Sequence, residues 1–213
     1  GSGAYSGHQS SNPVTDAIQA DGSDQTDALN SLFANSDYSG IEIDITLGGA
    51  VTISGTVDCG WKTIRFKPGN YFTGSGTLKN VVIDAGYRQK CFDTTIILDG
   101  CKTASEKFSA AWFGATTSGN AQPALQKAID TIIANQAYVK TLFIPSGNYT
   151  IYSPLMIYNW TGSIYDQCCL RIEGENSFWQ ASGGGTIISA NFKDRFALGI
   201  QRGKGVEILR LQF

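Results

Sequence analysis

Charge is scarce in this chain. Asp, Glu, Lys and Arg make up 16% of its 213 residues, against about a quarter in an average globular domain. The formal net charge is −2, and the Lys and Arg residues are scattered. The sequence therefore offers no basic footprint for a nucleic-acid backbone, and nucleic acid is not an expected partner. Histidine is nearly absent: His8 stands alone in a small, polar lead, which argues against Ser-His-Asp or Cys-His chemistry within the chain. No run approaches the roughly 18 apolar residues of a membrane span. The opening GSGAYSGHQSS has neither a charged leader nor an apolar signal core, and GSG reads as a cloning remnant. Cys59, Cys91, Cys101, Cys168 and Cys169 are odd in number and lack C-x-x-C spacing. That pattern argues against a disulfide framework and a zinc site, and the cysteines read as buried free thiols. No cofactor or metal is expected.

What the chain does have is glycine, 25 residues, and tyrosine, nine, a mixture suited to short strands joined by tight turns. It also starts the same structure twice. DALNSLFANSDYSGIEIDITLGGAVTI (27–53) and PALQKAIDTIIANQAYVKTLFIPSGNYTI (123–151) each run from a short helical pattern through Ala-Asn to an apolar strand, a Gly turn and a strand ending in Thr-Ile. KPGNYFTGSGTL (67–78) and PSGNYTIYSPL (145–155) repeat the echo. A helix leading into many short strands suits the open end of a β-solenoid, which otherwise exposes apolar core and unpaired backbone.

Residues 1–20 form the expected mobile lead. In 21–104, a small β-rich unit, DGSDQTDALNSLF predicts a capped helix, and strands are expected near 41–45, 51–53, 64–66, 81–83 and 96–98. In 105–213, Ala124, Leu125, Ala128, Ile129, Ile132 and Ile133 share one helical face after Pro123. Strands follow near 141–144, 149–151, 155–158, 169–172, 186–189, 196–200 and 206–213. Their spacing of about ten residues fits one strand per face of a three-sided coil, with a flat sandwich as the other possibility. The apolar strand ending at Phe213 reads as part of a longer protein, or as an edge completed by a partner.

WFGA (112–115), PALQKAID (123–130), TLFIPSGNYTI (141–151), LRIEGEN (170–176) and GGGTIIS (183–189) occur in an order that resembles the start of the right-handed parallel β-helix of the pectate-lyase-like superfamily. RGKGVEILRLQF (202–213) resembles its first well-formed coil. The likeness is closest to the N-terminal part of phage tailspikes and polysaccharide depolymerases. TTSGNAQ replaces the usual acidic element before the helix, and something nearer to it, DGSDQTDAL, lies at 21–29. The expected fold is mainly β: a capping helix and the first coils of a β-helix, preceded by a smaller helix-plus-strands unit. The resemblance implies a capping and connecting segment of a trimeric protein that degrades bacterial surface or extracellular polysaccharide. Its location would be a virion tail or the cell exterior, with catalytic carboxylates on later coils. The other possibility is a non-catalytic carbohydrate-binding or adhesive module.

Within the chain, Glu173 and Glu175 stand at i and i+2, as an acid and base pair for glycoside hydrolysis requires. Gly174 between them favours the alternative, exposed turn carboxylates. Asp21, Asp24 and Asp27 lack the glycine order of a calcium loop and suit helix capping. SGGGT (182–186) lacks the Lys-Ser/Thr ending of a phosphate loop and reads as a turn. Tyr158, Trp160, Tyr165 and Trp179, with Phe178, could stack on sugar rings, seal the helix end or form a subunit contact.

Overall fold

The computed structural model describes residues 18–35, 40–43, 49–158, 169–176, 185–193, 195–201 and 205–213. The lead carrying His8, and Cys168, lie outside them. Among the described residues the fold is mainly β with two α-helices, and every strand pairing is parallel. The flat antiparallel alternative is thereby removed.

Helix α1 (Thr26–Ala34) starts where Asp24 accepts hydrogen bonds from the Thr26 amide at 3.1 Å and the Thr26 hydroxyl at 2.6 Å. Asp24 also accepts from the Ser54 amide at 3.1 Å, so one carboxylate fixes the helix start to the strand turn beside it. Leu29 and Phe33, one helical turn apart, are buried. Ile18, expected within the lead, is buried as well.

The first unit contains β1 (Gly40–Ile43), β2 (Ala50–Ile53), β3 (Thr56–Asp58), β4 (Thr63–Phe66), β5 (Tyr71–Gly74), β6 (Thr77–Asp84) and β7 (Ile97–Thr103). Short polar segments such as Thr-Val-Asp and Tyr-Phe-Thr-Gly form β3 and β5, which were not expected as strands. Their alternating burial explains them: Val57 and Phe72 point inward while their neighbours face out. Three columns of parallel rungs result. Val51 pairs with Phe72, which bridges to Phe92; Val57 pairs with Leu78 and Leu78 with Leu98; Ile64 pairs with Ile83. Successive rungs are about 20 residues apart in sequence. The corner that follows Lys79 and Asp99 turns through left-handed backbone. Asn80 (φ 53°) and Gly100 (φ 72°) supply it at paired positions.

The second unit opens with β8 (Phe108–Ser109), a 3₁₀ turn (Ala110–Phe113) and α2 (Gln122–Ala134). It continues through β9 (Thr141–Ile144), β10 (Gly147–Ile151), β11 (Leu155–Tyr158), β12 (Arg171–Gly174), β13 (Thr186–Ala190), β14 (Leu198–Gln201) and β15 (Glu207–Leu209). Its three columns are β8-β9-β12-β15, β10-β13 and β11-β14. The strand expected over 206–213 is broken at Arg210 (φ 53°), after which Gln212 bridges to Ile187 in the next column. The strand expected at 169–172 begins only at Arg171.

Helix α2, expected across an open end, bonds to strands of both units. On one side, the Asn135 amide donates to Leu98 O at 2.9 Å and its carbonyl accepts from Cys101 N at 2.8 Å, both on β7. On the other, the Gln126 amide donates to Met156 O at 2.7 Å and its carbonyl accepts from Met156 N at 2.8 Å, on β11. Helix α1 uses the same device: Asn30 donates to Thr56 O at 2.8 Å and accepts from Asp58 N at 3.0 Å on β3. Side-chain amides thus stand in for the peptide groups of a missing strand. Asn30 and Gln126 occupy corresponding places in the sequence echoes DALN and PALQ.

The core does not stop at the expected boundary near residue 105. One apolar cluster runs from Ile18 to Ile188. Phe66, Phe72, Phe92, Phe113, Phe108 and Trp112 form an unbroken chain of ring contacts across the junction. The 86–90 loop clasps the second unit: Trp112 Nε1 donates to Gly86 O at 2.9 Å, and Arg88 reaches Ser146 Oγ at 3.0 Å.

Candidate functional site

Alternation along β9 and β12 sends Leu142 and Ile172 into the core and leaves Phe143 and Glu173 on the outer face of the sheet. Glu173 is nonetheless buried, with 4% of its side chain exposed. Phe143 is covered by the Tyr87 ring at 4.7 Å, and cations close over the carboxylate. Lys107 Nζ lies 2.9 Å from Oε1, Arg210 contacts the same oxygen, and Arg171 Nε lies 3.6 Å from Oε2. Arg171 also faces Glu207 at 3.7 Å. The reading of Glu173 as an exposed turn carboxylate is therefore corrected. It sits within a strand, and Arg210 reaches it because the left-handed corner ends β15 there.

Glu175 lies after the strand, beyond Gly174. Its carboxylate accepts from Ser146 N at 2.8 Å and pairs with the Arg88 guanidinium. That backbone hydrogen bond, with help from Arg88, holds its pKa below the ordinary glutamate value. The two carboxylates thus face different partners. A glycosidase acid must keep its proton and present it to the leaving oxygen. Glu175 is biased toward the charged form, and both Glu173 oxygens are engaged by cations. The arrangement ties three strands and the 86–90 loop together. A buried carboxylate with matched cations costs several kcal/mol when one partner is removed.

Of the expected sugar-stacking aromatics, Tyr158 is exposed at the end of β11, opposite Gln201. Trp160, Tyr165, Phe178 and Trp179 lie outside the described residues. Beside Tyr158's column, Phe196 is exposed, and its ring edge, with Met156, occupies the space a side chain at Gly199 would need. A different aromatic group has no signature in the sequence. Trp61 and Tyr138 meet with ring centroids 4.8 Å apart, and Lys102 lies over Trp61. Residues this distant in the chain carry no shared pattern, so only the 20-residue rung period, aligned with the end of α2, could have revealed them.

Asp21 and Asp24 accept hydrogen bonds from neighbouring Ser, Thr and backbone groups. Those bonds lower both pKa values, that of Asp24 to about 2, with Ser54 the largest cause. Cys59, Cys91 and Cys101 are buried thiols, and burial raises their pKa values. Cys169 is exposed, which corrects the reading of the set as buried. Among the described residues, no group of three or more His, Cys, Asp or Glu side chains could hold a metal ion. No helix among them is long and apolar enough to cross a membrane. No protein-family model, curated protein or solved structure matches this chain.

Proposed function

We propose that the rungs are coils of a right-handed parallel β-helix, and that the chain is the capping and connecting segment of a tailspike-like protein that degrades polysaccharide. The observation that carries this reading is the three-column parallel pairing in both units, each led by a helix whose side-chain amide pairs with a strand. Parallel crossovers are right-handed in nearly all known cases. The succession WFGA, PALQKAID, FIPSGNYTI and RIEGEN lies on the 3₁₀ turn, α2, β9–β10 and β12, an order of helix and strands compatible with the resemblance to the pectate-lyase-like superfamily. In this reading the parent protein sits on a virion tail or outside the cell, and its substrate is a bacterial surface or extracellular polysaccharide. It assembles as a trimer, for which exposed Phe196, Ile200 and Phe213 supply apolar contact surface.

A second reading, a non-catalytic carbohydrate-binding or adhesive module, is favoured by the engagement of both Glu173 and Glu175 in ion pairs. One experiment tests both: assay the chain against a panel of capsular and exopolysaccharides for binding, reducing-sugar release and unsaturated product. Binding without turnover is expected. Turnover by this chain that disappears in Glu173→Gln or Glu175→Gln would overturn the assignment of these residues. Turnover in a longer chain with further rungs, beside none here, separates the connecting segment from the free module.

A further inference from the structure

We infer that Trp61, Lys102 and Tyr138 form a binding site for an anionic sugar residue of a polysaccharide chain, an inference that rests on the polysaccharide reading above. The backbone supplies the first argument. Between the paired positions Asp58–Lys79 and Thr63–Val82, the lower rung runs through Cys59, Gly60, Trp61 and Lys62, while the next rung needs only Asn80 and Val81. The extra residues place Trp61 at φ 61°. The next two rungs fill the same corner with Asn80 and Gly100, the residue types that tolerate left-handed backbone. A tryptophan there costs on the order of 1–3 kcal/mol, a cost that a binding role would account for.

The surroundings supply the second. Trp61 is only half-buried, Tyr138 is exposed, and the two rings tilt at 57° to one another. Lys102 Nζ stands 4.2 Å from the Trp61 ring centre and 5.6 Å from that of Tyr138. No carboxylate pairs with Lys102 among the described residues. An ammonium held by ring faces keeps its outward side for an anion, and the exposed aromatic surface beside it suits the C–H face of a pyranose. A carboxylated sugar satisfies both at once. Single-stranded nucleic acid also stacks on aromatics, but it needs a cationic track along its backbone. Here one lysine stands in a chain of net charge −2.

The test is to titrate the full chain with alginate and hyaluronan fragments, with the same fragments after carboxyl reduction, and with a single-stranded oligonucleotide. Three proteins are compared: the parent, Trp61→Gly and Lys102→Gln. Glycine suits the left-handed corner, so Trp61→Gly should melt no lower than the parent while losing saccharide binding by about tenfold or more. Lys102→Gln should lose the preference for acidic over carboxyl-reduced fragments. A purely structural Trp61 would instead lower the melting temperature and leave binding unchanged. Saccharide binding that survives in both variants overturns this site but leaves the polysaccharide reading standing. No binding of any fragment by the parent overturns both, and oligonucleotide binding that Trp61→Gly abolishes overturns the ligand class.

Discussion

The two units solve the same problem with different economies of chain. In the first, each column advances one rung for about 20 residues, and corners are one to a few residues long. In the second, Thr141 pairs with Arg171 and Leu155 with Leu198, steps of 30 and 43 residues. The buried aliphatic ladders are alike: Val57, Leu78 and Leu98 in one, Leu142 and Ile172 in the other, where exposed Ile208 pairs in register with Ile172. Column pairing therefore tolerates long insertions at corners, because a longer loop costs only slowly rising entropy. Architecture resides in the rungs, and the extra chain is free for other uses. The shared helix device shows the same point. Asn30 and Gln126 each complete a strand edge, and α2 also bonds to a strand of the preceding unit, through Asn135.

The largest break in this comparison should come from Ile129→Asp. Ile129 is buried in α2 between the units, and an unpaired buried carboxylate there should cost about 4 kcal/mol or more. Both units should unfold together in calorimetry, because α2 serves each. A normal melt of either unit would mean that they are independent. Next comes Gly74→Ala. Gly74 has φ 97°, and a Cβ there would sit on the carbonyl oxygen of Ile53. The loss should be about 3 kcal/mol in urea denaturation. Gly119→Ala, with φ 76° and open space around the added carbon, should cost only about 1 kcal/mol.

The amide plugs should follow burial. Asn135→Ala leaves Leu98 O and Cys101 N unpaired in a buried place, a loss of about 2 kcal/mol. Gln126→Ala and Asn30→Ala, nearer to water, should lose about 1 kcal/mol or less. Equal losses at all three would contradict the distinction between the buried bonds of Asn135 and the more exposed ones of Gln126 and Asn30. The smallest effect concerns acid. Asp24 is depressed from 3.8 to about 2 by Ser54 and Thr26. Its contribution is fully present above about 3.8 and disappears as pH falls through about 2. Amides of α1 should therefore lose exchange protection in that window before those of α2 do. Asp24→Asn should flatten that part of the profile.

Much of this was legible in the sequence. The apolar spacing from Ala124 to Ile133 located α2, and the repeat of Ala-Leu-Asn/Gln and Ala-Asn announced two related helices. Glycine suited to tight turns marked the corner at Gly100, whereas Asn80 carried no such signal. Three features were not legible, for physical reasons. β3 and β5 are too short to show a period and take their conformation from neighbouring rungs. Burial of Glu173 depends on Lys107 and Arg210, distant residues brought close by the coil. The place of α2 inside the stack depends on Asn135, whose two hydrogen bonds to β7 leave no trace in local pattern.

The central claim is that α2 joins the two units by bonding strands on both sides. Native-state hydrogen exchange at two amides tests it most directly: Cys101, which donates to Asn135 Oδ1, and Met156, which donates to Gln126 Oε1. The account predicts strong protection of both in the parent protein and preferential loss at Cys101 in Asn135→Ala. Fast exchange of Cys101 in the parent, beside a protected Met156, would show that α2 belongs to the second unit alone and would contradict the claim.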